Sequence, residues 1–232
     1  YLGQNLQFEL RTQYLPSQGI SEHGMAAFSP AFQMWFADEG QDFDSSITHE
    51  HMNYARLCIA LVTVCGNAMR DILLTNVPKN YRNIYEAILD NEPDLISRRR
   101  GRPALNQEQT NVVFPDPLCR YVGTVDQFDI SLLYILIRSV STVPAPASGW
   151  GIDPVDQPRD RSLGASVERI RSYRNLISGH SKDGQIYKQD FEDYWNKIRA
   201  ALDDIEAVIS RQEYSLELDR QQRRVISIYE AC

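Results

Sequence analysis

Arg174 and His180 lie close together in the chain and differ in how they carry charge. An arginine stays charged at every physiological pH, whereas a histidine has an ordinary pKa near ~6.5 and exchanges protons near neutrality. Six positions separate the two residues, which on a continuous helix is a rotation of about 120°, so one face cannot present both. We expect Gly179 to end the helix and allow the side chains to converge. A β-branched residue there is expected to harm activity more than stability.

The helix that carries Arg174 is predicted from a stripe with alternating spacings of four and three, formed by Leu163, Val167, Ile170, Arg174 and Ile177. Arg174 therefore interrupts a surface that is otherwise suited to burial. One interpretation of Arg174 is that it forms a structural ion pair with Glu168, Asp190 or Glu192. His180 likewise has a structural alternative, which is to bond free carbonyls at the helix end.

Further helices are predicted around this one. Thr48 is expected to cap a long amphipathic helix that ends before Pro78, and a shorter helical stretch is predicted at about 80–90. Asp129 is expected to cap a central helix over 130–140. Regular apolar spacing predicts a long helix from Phe191 to Ile209, and a further helix follows it. Residues 103–126 read as an extended connection, and the glycines and prolines around Trp150 as a loop folding back on the core.

The sum is an all-α bundle of four to five principal helices with long loops. We predict an irregular lead-in over 1–44, a helical domain over 45–212 and a C-terminal helical extension over 213–232. The apolar runs are shorter than the ~20 residues of a membrane helix, so no membrane is expected as a partner. Cys58 and Cys65 are seven apart on one helix and are expected to be core residues and not a disulfide.

Composition limits the classes of function. The net charge is −7 at pH 7, so any contact with nucleic acid must come from a local basic cluster. Arg98, Arg99 and Arg100 form such a cluster, which reads either as a solvated loop or as a phosphate-binding patch. The absence of a phosphate-cradling glycine loop or a zinc-spaced cysteine set predicts no metal and no cofactor. Irregular cysteine spacing suggests a reducing compartment, and we expect a cytoplasmic location.

The arrangement of arginine, polar residue, four-residue spacer and histidine at Arg174, Asn175 and His180 resembles the signature of HEPN domains, which are helical bundles. Four further segments resemble the subgroup named after the DAZ-interacting zinc finger ubiquitin ligase. They are 53–57 leading to 68–70, the stretch 129–133, Gly149 with Trp150, and Asp190-Phe191 with Trp195. The resemblance covers roughly residues 48–210.

This resemblance implies a metal-independent endoribonuclease that makes the ribose 2′-hydroxyl of single-stranded RNA attack the adjacent phosphate, with its active site at a homodimer interface. His180 would exchange protons with the attacking or leaving oxygen, and Arg174 would stabilise charge on the phosphorane. Asn175 would orient His180 or hold a phosphate oxygen. Arg169 and Arg171 would bind the RNA backbone on either side of the cut.

The alternative implied by the same resemblance is a non-catalytic module that dimerises or binds RNA. Such a module would belong to a larger cytosolic protein of signalling, ubiquitin transfer or innate defence. Other domains of a longer polypeptide are expected partners in either case.

Overall fold

The computed structural model describes residues 48–97, 105–116, 122–152, 159–180, 184–210 and 213–230, with side chains described as far as 223. The predicted lead-in over 1–44 lies outside these residues. Within the described ranges the chain forms eight α-helices around one apolar core. They are α1 (His49–Thr75), α2 (Ile84–Asp90), α3 (Glu92–Ile96), α4 (Gln107–Val113), α5 (Ile130–Val140), α6 (Leu163–Gly179), α7 (Lys188–Ile209) and α8 (Tyr214–Glu230).

The predicted all-α bundle is confirmed, and its principal helices are the five long ones, α1 and α5 to α8. Short helices and loops connect them. The helix predicted from Phe191 begins slightly earlier, at Lys188, and buries the expected seam of Phe191, Trp195, Ile198, Leu202 and Ile205. This seam packs against α6, which in turn packs against α5.

The long helix α1 begins after Thr48, as predicted, and the Thr48 backbone N–H donates to His51 Nδ1 at 3.2 Å. Its middle is a π-helical segment, Leu61–Cys65, in which the Gly66 N–H donates to the Leu61 carbonyl. By length and composition alone α1 could cross a membrane. Its apolar face is, however, buried in the bundle, including Cys58 and Cys65, which are free thiols as expected. α1 is therefore a core helix of the bundle.

One stretch differs from the sequence prediction. The extended connection expected over 103–126 is wrong for residues 107–113, which form α4. Asn106 Oδ1 accepts from the Gln109 N–H at 2.8 Å, and Gln109 Oε1 accepts from the Asn106 N–H at 3.1 Å. This reciprocal capping box satisfies free donors at the helix start, and Val113 is buried in the core. The capping pattern was present in the sequence and outweighed the nearby prolines.

The C-terminal helix α8 docks on α1 and α7. Tyr214 and Leu218 are buried, and Arg199 of α7 forms an ion pair with Asp219. The helix predicted for this region is therefore present and part of the same core as far as the described side chains extend. The domain division predicted at residue 212 stays a prediction.

Candidate functional site

The candidate residues lie at the C-terminal end of α6. Ser162 caps the start of this helix, with its hydroxyl oxygen accepting from the Ala165 N–H at 3.3 Å. The predicted apolar stripe is confirmed, because Leu163, Val167, Ile170 and Ile177 are all buried. Arg174 is half-buried at the edge of this stripe, and Asn175 next to it is exposed. The helix therefore turns from a core element into a surface element over its last turns.

Arg174 is oriented by two neighbours. Its Nη1 donates to Asn175 Oδ1 at 3.3 Å. Its charge also faces Asp129, whose side chain caps α5 by accepting from the Leu132 N–H at 2.7 Å. Burial raises the pKa of the Asp129 carboxyl, and the Leu132 hydrogen bond and the charge of Arg174 oppose that rise. The capping role of Asp129 was predicted, whereas its closeness to Arg174 was not.

α6 ends at Gly179, as predicted, but the backbone does not turn away from the helical path there. Gly179 is the last residue of α6 and has no positive φ, and His180 follows with φ −84° and ψ 4°. The His180 N–H donates to the Ile177 and Ser178 carbonyls, so the backbone keeps turning in the helical sense. Gly179 therefore does not bring Arg174 and His180 together, and about 120° of rotation separates them around α6. The sequence correctly placed the helix end at Gly179. It did not indicate that this glycine would keep a helical and not a left-handed backbone.

The segment after His180 is held against the start of α1. Gly184, with φ +59°, donates its N–H to the His180 carbonyl at 2.9 Å. The Ile186 N–H donates to the Glu50 carbonyl at 3.1 Å, and the Gln185 side chain lies 3.2 Å from His51 Nε2. The residues on either side of 181–183 are thus bonded to each other, and residues 185–186 contact the start of α1.

Arg169 and Arg171, the predicted RNA contacts next to the motif, both make bonds within the chain. Arg169 Nη2 donates to the Asp160 carbonyl, and its Nη1 lies 3.5 Å from Asp204 Oδ2, with only 11% of the side chain exposed. Arg171 Nε donates to Glu168 Oε2 at 2.7 Å. The structure therefore gives both arginines intramolecular partners, and their contact with RNA stays a prediction.

A buried polar cluster was missed by the sequence reasoning. Glu168 is completely buried and accepts hydrogen bonds from the Tyr134 hydroxyl at 2.6 Å, from Arg171 and from the Gly151 N–H. Burial and the Glu168 carboxylate together raise the pKa of Tyr134 to about 12. The available signal was the spacing of three between Glu168 and Arg171 on one helix. Nothing in the sequence indicated that Tyr134 would complete the cluster.

The other predicted elements of the site can be placed only in part. Arg98, Arg99 and Arg100 lie outside the described residues. Among the described residues, no group of three or more His, Cys, Asp or Glu side chains is arranged to hold a metal ion. The described candidate site consists of Arg174, Asn175 and His180, and Asp129 at the start of α5 faces Arg174.

Part of the chain is similar to known proteins. A family model described as DZIP3/hRUL138-like HEPN matches residues 82–223, which is more than half of the chain. The mouse protein named E3 ubiquitin-protein ligase DZIP3 is 29% identical over 110 residues, which cover 44% of this chain and 9% of that protein. The human protein of the same name is 28% identical over the same length. The chain therefore matches only a small part of these relatives, and no solved structure matches it.

Proposed function

The chain belongs to the DZIP3/hRUL138-like HEPN family, and on that premise we propose that it cleaves single-stranded RNA in the cytoplasm without a metal ion. The proposed active site forms at a homodimer interface around Arg174, Asn175 and His180. The observation that carries this proposal is the position of the three residues. They occupy the surface end of a helix whose other half is buried, with Arg174 and Asn175 hydrogen-bonded to each other.

The proposed reaction needs only side chains and the substrate. A base removes the proton from the ribose 2′-hydroxyl, the 2′-oxygen attacks the adjacent phosphorus, and the bond from phosphorus to the 5′-oxygen breaks. The departing oxygen takes up a proton, so that the products are a 2′,3′-cyclic phosphate and a 5′-hydroxyl. A histidine can perform each proton transfer, and an arginine fork can stabilise the negative charge that builds up on the phosphorane oxygens.

The continuous backbone from Arg174 to His180 supports a two-chain site. The two side chains leave α6 in directions about 120° apart. One copy therefore presents the phosphate-binding Arg174 and the proton-transferring His180 to different places. A second copy related by a two-fold axis brings a second Arg174 and a second His180 to the same cleft. In the dimer the two histidines divide the roles of base and acid.

The remaining arginines have separate roles in this proposal. Arg98, Arg99 and Arg100 contact the RNA backbone through long-range and direct attraction to phosphates. Arg169 and Arg171 bind the RNA backbone on either side of the cut, and the bonds of Arg169 to Asp160 and Asp204 also hold α6 in place. Asp129 keeps Arg174 oriented from the facing helix.

Incubation of the purified protein with labelled single-stranded RNA and excess chelator tests the proposal. We expect cleavage to survive the chelator and to fall at least ~100-fold in His180→Ala and in Arg174→Ala. His49→Ala and Arg220→Ala are matched controls, because both residues lie on exposed positions of other helices. Equal cleavage by wild type and both site variants, all folded by circular dichroism, would refute the proposal.

A second candidate is a non-catalytic module that dimerises or binds RNA within a longer protein. The observation that favours it is the short match to much longer relatives, which are named as ubiquitin ligases. In that case the wild-type protein binds RNA or itself but leaves the labelled RNA intact at every protein concentration. A dimer measured by sedimentation without any cleavage would support this second candidate.

A further inference from the structure

Two arginines and a tryptophan share one side of the contact between α5 and α6. Arg138 projects from α5, Arg171 from α6, and Trp150 from the loop that joins the two helices. All three side chains are half-buried. We call this surface the α5–α6 seam. It lies beside the buried Tyr134 and Glu168, and Arg171 is one helical turn before Arg174 on the same side of α6.

The seam carries more positive than negative charge. Glu168 accepts from Arg171 Nε at 2.7 Å and from the Tyr134 hydroxyl at 2.6 Å. Arg138 Nη1 lies 3.5 Å from the same hydroxyl. Glu168 thus pairs with Arg171, and Arg138 contacts the Tyr134 hydroxyl and not the carboxylate. Elsewhere in the described residues, Arg82, Arg199 and Arg220 each pair with a carboxylate of their own, whereas Arg161 and Arg169 share Asp204.

Arg171 is fixed in place, and among the described residues its terminal donors have no hydrogen-bond partner. The guanidinium of Arg171 lies over the Tyr134 ring, 5.2 Å from its centroid. Within the described part of the chain, no hydrogen bond engages either terminal nitrogen of Arg171. A planar guanidinium held by Nε still offers its terminal donors to a phosphate, and little side-chain entropy is lost on binding.

Trp150 supplies an aromatic surface next to these donors. Gly149 and Gly151 flank it with φ values of +87° and +83°, and the Gly151 N–H donates to Glu168. The indole packs edge-on against the Tyr134 ring at 5.9 Å between centroids. The same carboxylate that fixes Arg171 thus also fixes the loop that presents Trp150. Proteins that bind single-stranded nucleic acids combine an aromatic ring, on which a base stacks, with basic side chains that contact the backbone phosphates.

We propose that the α5–α6 seam binds single-stranded RNA, with Arg171 and Arg138 contacting successive backbone phosphates beyond Arg174 and Trp150 stacking on a base. This inference deepens the proposed function, on which it rests, by assigning the path of the strand away from the cut. It adds Arg138 and Trp150 to the RNA-binding residues.

Fluorescence anisotropy with a labelled single-stranded RNA oligonucleotide, measured over a series of salt concentrations on the catalytically silenced His180→Ala protein, tests the seam. Arg138→Gln should weaken binding about tenfold, as expected for the loss of one charge-assisted hydrogen bond. The slope of log K against log salt should become shallower by about 0.7, the contribution of one single-strand phosphate contact. Trp150→Ala should weaken binding at least about fivefold, and Trp150→Phe should restore most of that loss.

Arg220→Gln is the matched control, because it removes the same charge from α8, which packs on α1 and α7. Wild-type affinity and an unchanged salt slope in Arg138→Gln would overturn the proposal. So would an equal loss in Arg220→Gln, since binding would then follow net charge and not the seam. Failure of the parent protein to bind RNA at low salt would overturn it as well.

The outcomes separate this inference from the proposed cleavage. If RNA binding depends on Arg138 and Trp150 but cleavage does not depend on Arg174 and His180, the seam stands and the nuclease proposal fails. If cleavage depends on Arg174 and His180 while binding ignores Arg138 and Trp150, the nuclease proposal stands and the seam fails.

Discussion

The two halves of α6 carry charged and polar side chains in different environments. In the first half, Glu168 is completely buried and every oxygen has a donor from Tyr134, Arg171 or Gly151. In the second half, Arg174 is half-buried and Asn175 is exposed. A fully satisfied buried group fixes the fold, whereas polar groups gathered at a surface end are available for a substrate. We therefore expect the first half to contribute to stability, and the proposed chemistry belongs to the second half.

Replacing Glu168 is the strongest way to break this comparison. Glu168→Ala removes a buried carboxylate and leaves the Tyr134 hydroxyl, the Gly151 N–H and Arg171 without their acceptor. We expect a loss of about 3 to 5 kcal/mol in the free energy of unfolding. Urea denaturation followed by circular dichroism measures it, with exposed Glu192→Ala as control. A loss below ~1 kcal/mol would mean that the buried cluster does not hold the fold. If Glu168→Ala does not fold, Glu168→Gln provides the measurable variant.

Arg174→Lys tests the second half without removing the charge. A lysine lacks the planar fork of donors, so we expect RNA cleavage to fall at least about tenfold. The free energy of unfolding should change by less than ~0.5 kcal/mol, because the residue lies at the edge of the core. Cleavage rates and urea midpoints on the same preparations separate the two effects. A variant that loses stability and cleavage in parallel would assign Arg174 to the structural half.

Asp129→Asn sharpens the comparison through pH. Burial raises the pKa of Asp129 in the folded protein, so the folded state binds the proton more tightly than the unfolded state. The wild type therefore loses stability as pH rises from the ordinary value of 3.8 through the raised folded pKa. Asparagine caps a helix as well as aspartate and does not titrate. Above this window we expect the variant to be more stable, by less than ~1 kcal/mol.

Melting temperatures of both proteins across pH 3 to 8 measure this difference. The gap should close at the acid end, where both side chains are neutral. A gap that widens towards acid pH would show that attraction to Arg174 outweighs the cost of burial.

Gly179→Ala has the smallest expected effect. Gly179 has no positive φ, and a Cβ at this position would meet nothing within 4 Å. We therefore expect a gain of about 0.5 kcal/mol with cleavage unchanged. Gly184→Ala is the contrasting variant, because Gly184 has φ +59°, and we expect a loss of about 1 kcal/mol. Denaturation midpoints of the two variants should move in opposite directions.

Much of the fold could be predicted because apolar spacing is a local signal. Thr48 and Asp129 mark helix starts, and the apolar residues of α7 from Phe191 to Ile205 show the helical period directly. The π-helical segment and α4 were not predicted. The residues before and after the π-helical segment are buried alike, so the apolar spacing of α1 shows no break there. The prolines near α4 concealed its helical character.

The candidate site was less predictable because it depends on contacts between distant residues. The apolar stripe placed Arg174 correctly on its helix. The proximity of Arg174 to Asp129 depends on the packing of α6 against α5, which no local pattern specifies. The same holds for Tyr134 and Glu168, which are 34 positions apart. The conformation of Gly179 was also beyond the sequence, since a glycine at a helix end fits both a helical and a left-handed backbone.

The π-helical segment of α1 bears on which changes of chain length the core tolerates. A turn closed between residues five apart holds one residue more than an α-helical turn. Deleting half-buried Thr63 could therefore convert the segment to ordinary helix while Cys58 and Ile72 keep their faces. A deletion between Gly66 and Ile72 would instead rotate the rest of α1 by about 100° and turn its apolar side chains out of the core. Single-residue length variation among relatives should accordingly concentrate at Leu61–Cys65.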